Sequence, residues 1–148
     1  MTTPDTYAGT GTGTGAELEF LQLPIDPDQG LPQAFASTVG TTRYEFGVYA
    51  SLDVPDTDPP ETLYDLASPG PSQHPATPPG HLVLRVVRPG PAGPAVILLR
   101  KLVPEPGLVH YAAELAVTVT RAVIARGNLN APGRFGSRIV IGVARRWA

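Results

Sequence analysis

Proline and glycine decide where this chain can form regular structure before any other residue does. Together they make up 18 and 16 of 148 residues, close to the level at which a chain is read as low-complexity and disordered. They are unevenly spread, however. Eight prolines fall within Asp53–Gly80 and three more within Pro89–Pro94. Proline fixes φ and removes the backbone donor, so neither stretch can continue a helix or a central strand. Regular structure is confined to the segments between them.

In those segments apolar residues recur with period two, the pattern of strands with one buried face. Leu18 and Phe20 alternate with Glu17 and Glu19 across Glu17–Leu23, until Pro24, Pro27, Gly30 and Pro32 break the pattern. Ala34–Thr38 predicts a short strand, followed by a turn at Gly40. Across Thr42–Leu52, Tyr44, Phe46, Val48 and Ala50 share one face, with Arg43, Glu45 and Tyr49 opposite. His81–Arg88 and Ala95–Val103 predict a hairpin with Pro89–Pro94 at its tip. Both its strands are apolar on two sides in places, at Val86-Val87 and Val96–Leu99, which predicts central strands or a strand covered by a neighbour.

Leu108–Arg126 carries two signals. Leu108, Tyr111, Ala112, Leu115, Ala116 and Val119 fit a helical stripe, whereas Val117–Ile124 is β-branched and alternating. The reading favours an irregular or helical start followed by a strand. Gly127–Gly133 is a loop, and Ser137–Ala144 is a last strand with Ile139, Ile141 and Val143 in phase. The result is an all-β chain, a small antiparallel barrel or sandwich of five to seven strands. Residues 1–16, with the run Gly9–Gly15, have little apolar surface to offset ordering entropy and read as a flexible arm. Residues 17–148 form a single domain with a proline-rich insertion at 53–80, a projecting or disordered loop with room for one helical turn over Glu61–Ala67. A fold of this kind must manage its strand edges, often by pairing with copies or neighbours.

Charge is distributed asymmetrically. Met1–Gly80 holds 11 acidic residues against Arg43 alone, and His81–Ala148 holds ten basic against Glu105 and Glu114, so a net −2 conceals −10 and +8. Either the halves pack together and neutralise each other, or they give a bipolar surface that orients the protein between unlike partners. Ten of the 11 cations are arginine, whose weakly hydrated, planar donor fork suits interfaces. Nucleic acid is disfavoured as a partner by the overall charge and by the lack of an aromatic–basic motif. Candidate contact residues are Arg43, Arg121, Arg126, Arg134, Arg138, Arg145, Arg146 and Trp147. The tail Arg145-Arg146-Trp147 reads as a docking hook or a frayed end, with its terminal position favouring the frayed end.

Signals for chemistry are sparse. With no cysteine, thiolate metal sites, disulfides and cysteine nucleophiles are excluded. The Gly9–Gly15 run is not a dinucleotide fingerprint, and Lys101 is not in a P-loop. None of Ser37, Ser51, Ser68, Ser72 or Ser137 sits in a nucleophile elbow. His74 and His81 lack a metal-ligand spacing, and Asp53, Asp56 and Asp58 lack the glycine and bidentate glutamate of a calcium loop. No enzyme activity, cofactor or metal is therefore expected. Met1–Asp5 lacks the basic and apolar regions of a secretory signal, and Leu108–Ala125 is interrupted by His110, Glu114 and Arg121, a poor membrane span. A rival reading is a small-molecule- or carbohydrate-binding β-barrel lined by Tyr44, Phe46, Tyr49 and Trp147.

Several segments, in order, resemble the plug family of contractile phage tail baseplates, known from cyanophages. They are Leu21–Pro24 with its closing proline, the segment–turn–strand Gln33–Tyr49, the hairpin His81–Val103 closed by Leu102-Val103-Pro104, the tyrosine of His110-Tyr111, and Pro132–Ile139 with Phe135-Gly136-Ser137 leading into the last strand. The chain departs from that pattern in its long Asp53–Gly80 insertion. The resemblance implies a structural component at the distal end of a tail tube, or of a related contractile injection system. There it would sit in several copies among hub, tube and spike proteins, within the virion.

Overall fold

The alternating segments become strands, and the strands form two antiparallel sheets. The computed structural model describes residues 18–67 and 79–147. Its strands are β1 (Leu21–Gln22), β2 (Gln33–Val39), β3 (Thr42–Leu52), β4 (Leu63–Asp65), β5 (Gly80–Arg88), β6 (Ala95–Leu102), β7 (His110–Ala112), β8 (Leu115–Ala125) and β9 (Arg138–Arg145). One sheet has the order β2-β3-β5-β6. The other has β1-β9-β8-β4, with β7 pairing β8 beside β4. The two sheets remain separate, so the all-β fold is a sandwich and not a closed barrel. The arm at 1–16 and the 68–78 part of the proline-rich insertion lie outside the described residues.

The core is what the alternation demands. Tyr44, Phe46 and Val48 of β3 and Leu82, Leu84 and Val86 of β5 face Val117, Val119 and Ile124 of β8 and Ile139, Ile141 and Val143 of β9, all buried. Phe35 of β2 stacks on Phe46 with ring centroids 5.6 Å apart. Each sheet contains strands from both the acidic and the basic half of the sequence, so the halves do pack together.

Three expectations change. Leu108–Ala116 is not helical: His110–Ala112 folds back on Leu115–Val117 through a two-residue turn in which Ala113 has φ 49°. The β-branched run of β8 needs a strand partner, and the preceding residues supply it. Glu61–Ala67 likewise makes β4 and not a helical turn, pairing with Ala125–Val123. Arg126 N–H donates to Thr62 O at 2.8 Å and Gly127 N–H to Pro60 O at 2.9 Å. The described start of the proline-rich insertion is therefore fastened to the sheet edge instead of projecting. Of the described part of the Glu17–Leu23 alternation, Leu21–Gln22 pairs with β9 and Leu23 N–H donates to Ile141 O at 2.9 Å before Pro24 ends the run, while Leu18–Phe20 do not form a strand.

The loop between β8 and β9 is fixed by buried polar groups. Ser137 Oγ accepts from Ala125 N–H at 2.7 Å and donates to Asn128 Oδ1 at 2.6 Å. Asn128 Nδ2 in turn donates to Ala131 O at 3.3 Å and Gly133 O at 3.0 Å. Replacing Ser137 with alanine strands a buried N–H and a buried amide oxygen. The expected loss is about 2 kcal/mol, or roughly 4–8 °C in a thermal melt.

Candidate interaction surface

Strand direction sorts the charges to opposite ends of the sandwich. The loops that follow β1, β3 and β8 leave one end; the first two carry Asp26, Asp28, Asp53, Asp56, Asp58 and Glu61, and the third carries Arg126 and Arg134. The start of β3, the β7–β8 turn and the ends of β5 and β9 meet at the other, carrying Arg43, Arg88, Arg145 and Arg146. The asymmetry read along the sequence thus becomes a partial axis along the strands, with Arg126 and Arg134 among the acids and Glu114 among the arginines.

At the arginine end, the two sheets are joined through a buried carboxylate. Glu114 is 6% exposed. Tyr44 O–H donates to its Oε2 at 2.7 Å, and Arg88 Nη1 donates to its Oε1 at 2.5 Å. Burial alone would raise the Glu114 pKa. The hydrogen bonds from Tyr44 and Arg88 outweigh it and hold the carboxyl below the ordinary glutamate value. Burial, reinforced by the hydrogen bond to Glu114, raises the Tyr44 phenol. This group binds sheet to sheet.

Just outside it lies the C-terminal tail. Arg145 Nη1 donates to Thr42 Oγ1 at 2.9 Å, crossing from β9 to β3, and its Nε donates to Trp147 O at 3.1 Å. Its stem lies against Gly40, where a Cβ would stand 3.1 Å from Arg145 Cδ on a backbone of φ 66°; glycine there meets both the turn and the close approach. Arg146 N–H donates to Glu114 O at 2.7 Å and its Nη1 to Ala113 O at 3.2 Å. Its guanidinium sits 4.7 Å from the Tyr111 ring centroid and 4.9 Å from that of Trp147, within cation–π range of both. Tyr111, Ala116 and Ala144 stand abreast across β7, β8 and β9, so small side chains leave room for the rings. Tyr111 and Trp147 remain 50% and 55% exposed. The tail is stacked and hydrogen-bonded, which corrects the frayed-end reading.

The eight residues proposed from sequence divide among three places. Arg145, Arg146 and Trp147 come together, with Arg43 exposed on β3 at the same end. Arg121 and Arg138 lie on the outer face of the β1-β9-β8-β4 sheet, opposite Val140 and Val123 respectively. Arg126 and Arg134 lie at the acidic end, where Arg126 Nη2 is 3.3 Å from Asp56 Oδ1 and Arg134 Nε is 4.0 Å from Asp28 Oδ2. Tyr111 and Thr42 complete the tail cluster and were not singled out as contacts; the composite pattern at Leu108–Ala116 hid Tyr111. Of the proposed barrel-lining aromatics, Tyr44 and Phe46 are in the core, Tyr49 is on the outer face of β3 and Trp147 is at the arginine end, so the four share no cavity.

Among the described residues, no group of three or more His, Asp or Glu is placed to hold a metal ion, and no helix is long and apolar enough to cross a membrane. His110 is buried and its Nε2 accepts from Val103 N–H at 3.1 Å; His74 lies outside the described residues. Comparison with protein families, with curated proteins and with solved structures returned no match.

At the acidic end, Tyr64 donates to Asp58. Burial, and then that hydrogen bond, push its phenol from 10.0 up to about 12. A raised phenol pKa means that the folded state keeps its proton longer. This contribution is complete below the ordinary tyrosine value and is lost as pH rises through the folded one. Stability should therefore decline between about pH 10 and 12, and Tyr64→Phe should flatten that decline in urea melts.

Proposed function

We propose that this chain is a non-enzymatic structural subunit of a phage-like tail baseplate, a plug or adapter at the distal end of the tail tube. The observation that carries the assembly reading is the Tyr111–Arg146–Trp147 stack, a preorganised and half-exposed cluster at the end opposite the surplus acid. Tyrosine, tryptophan and arginine are the residues in which interface binding energy concentrates, because they bring large area at low ordering cost. A charge axis suits a subunit held between unlike neighbours, since it opposes reversed insertion.

The placement in a tail is supported by the resemblance of the segments that form β2–β3, the β5–β6 hairpin and the approach to β9. In this reading the arginine end meets hub or tube proteins, and several copies surround the channel. The test is quantitative mass spectrometry of tail-like particles purified from cells that carry the gene. The expected result is this chain in a fixed, symmetric ratio to the tube and hub proteins. Particles that are complete and functional without it would contradict the reading.

A further inference from the structure

Cations around the C-terminal tail outnumber the carboxylates that meet them. Among the described residues Arg88 pairs with Glu114, and Arg126 and Arg134 find Asp56 and Asp28 at the opposite end. Arg100 and Arg146 are exposed and pair with no described carboxylate. Both converge on Tyr111. The Arg146 guanidinium lies over its ring at 4.7 Å, and Arg100 Nη1, reaching across from β6, donates to its carbonyl oxygen at 3.2 Å. Two cations held at one exposed tyrosine repel each other unless an anion joins them.

Arg146 is also ordered in advance of any partner. Its Nη1 donates to Ala113 O, and the rings of Tyr111 and Trp147 both face the guanidinium. Among the described residues, its Nε and Nη2 find no acceptor. Those two N–H groups form the side-on fork that a carboxylate accepts bidentately. With the long side chain already fixed by stacking, little rotamer entropy remains to be lost on binding. The surroundings have the same sign. β9 pairs without a bulge of its own from Arg138 to Ala144, so Arg138, and Arg121 opposite Val140, share the outer face on which Tyr111 stands. Asp65 is the one carboxylate on the described strands of that face.

We propose that Arg146 and Arg100 receive the carboxylates of an acidic segment of a partner protein, one carboxylate lying in the Nε–Nη2 fork of Arg146 beside the Tyr111 and Trp147 rings. This partner chemistry deepens the reading of the cluster as a contact surface and rests on that reading. Charge complementarity selects an acidic partner, and the stack selects carboxylate over nucleic acid. Arg146 already covers a face of each ring, so the rings are not laid out as a platform for bases. The chain as a whole is also negative, with a net charge of −2, which disfavours a long polyanion but not a short acidic segment.

Trp147 is the single tryptophan of the chain, so its fluorescence reports on the site directly. The full chain is titrated with a glutamate–serine peptide and, separately, with its glutamine–serine counterpart. The acidic peptide should give a saturable change that weakens as salt is added, and the neutral one should give none. Arg146→Gln and Arg100→Gln should each weaken binding about tenfold with little change in the thermal melt. Arg85→Gln, on the outer face of the other sheet opposite Gly47 and Leu99, should bind like the native chain. No saturable response to the acidic peptide, by fluorescence or by calorimetry at low ionic strength, would overturn the inference. So would an equal loss in Arg85→Gln, or tighter binding of a single-stranded oligonucleotide than of the acidic peptide. If the peptide fails to bind but particles still contain the chain, only the partner chemistry is wrong. If the peptide binds and particles lack the chain, the tail reading fails and the partner chemistry stands.

Discussion

Replacing Glu114 with alanine is expected to cost about 3 kcal/mol of folding stability and to lower the melting temperature by roughly 10 °C. The substitution leaves the Tyr44 hydroxyl without an acceptor, and Tyr44 is 0% exposed. A buried polar group stranded in this way incurs its full desolvation penalty. The Arg88 side chain is 41% exposed, so solvent recovers much of its charge, and its share of the loss is the smaller one. Glu114→Gln keeps an acceptor for Tyr44 while removing the charge, and should fall between the two. The pH dependence separates this explanation from simple packing loss. Because the folded carboxyl lies below the ordinary glutamate value, its contribution is present above that ordinary value and is lost as pH falls through the folded one. Urea melts should show native stability declining into the acid range, with Glu114→Ala showing a shallower decline there.

The second large effect concerns binding. Under the proposed assembly role, substituting Arg146 and Trp147 together with alanine should weaken association with the tail partner about a hundredfold, consistent with loss of two central anchor residues. The melting temperature should move by only a few degrees, because the lost contacts are at the surface. Arg146→Lys should fail to restore binding. A lysine keeps the charge, but it lacks the planar fork that lies between Tyr111 and Trp147 while Nη1 reaches Ala113 O. Surface plasmon resonance against the purified partner, alongside thermal melts of each variant, measures both quantities.

The strands were legible wherever one face had to be buried and no proline intervened. Thr42–Leu52 is found at the boundaries its alternation sets, and the β5–β6 hairpin and β9 lie within a residue or so of theirs. Where the pattern failed, the cause was a strand partner, close by for His110–Ala112 and about sixty residues away for Leu63–Asp65. His110–Ala112 and Leu63–Asp65 are three-residue strands, too short to establish a period. They form because β8 offers them an edge, which no local propensity reports. The charge imbalance was visible in the sequence, but the strand order that turns it into an axis was not. The tail was misjudged for a related reason. An Arg-Arg-Trp tail looks free to fray until Tyr111, Thr42 and the Ala113 carbonyl are brought to it by two different strands and a turn. Its exposed rings are what support the proposed contact role.

The most direct measurement of the proposed role is native mass spectrometry of this chain produced together with candidate tail tube and hub proteins. The expected spectrum contains a defined complex holding several copies of the chain, which the Arg146→Ala, Trp147→Ala variant fails to enter although it is folded. A chain that remains free of every such protein, with the tail intact and the fold confirmed, would contradict the account.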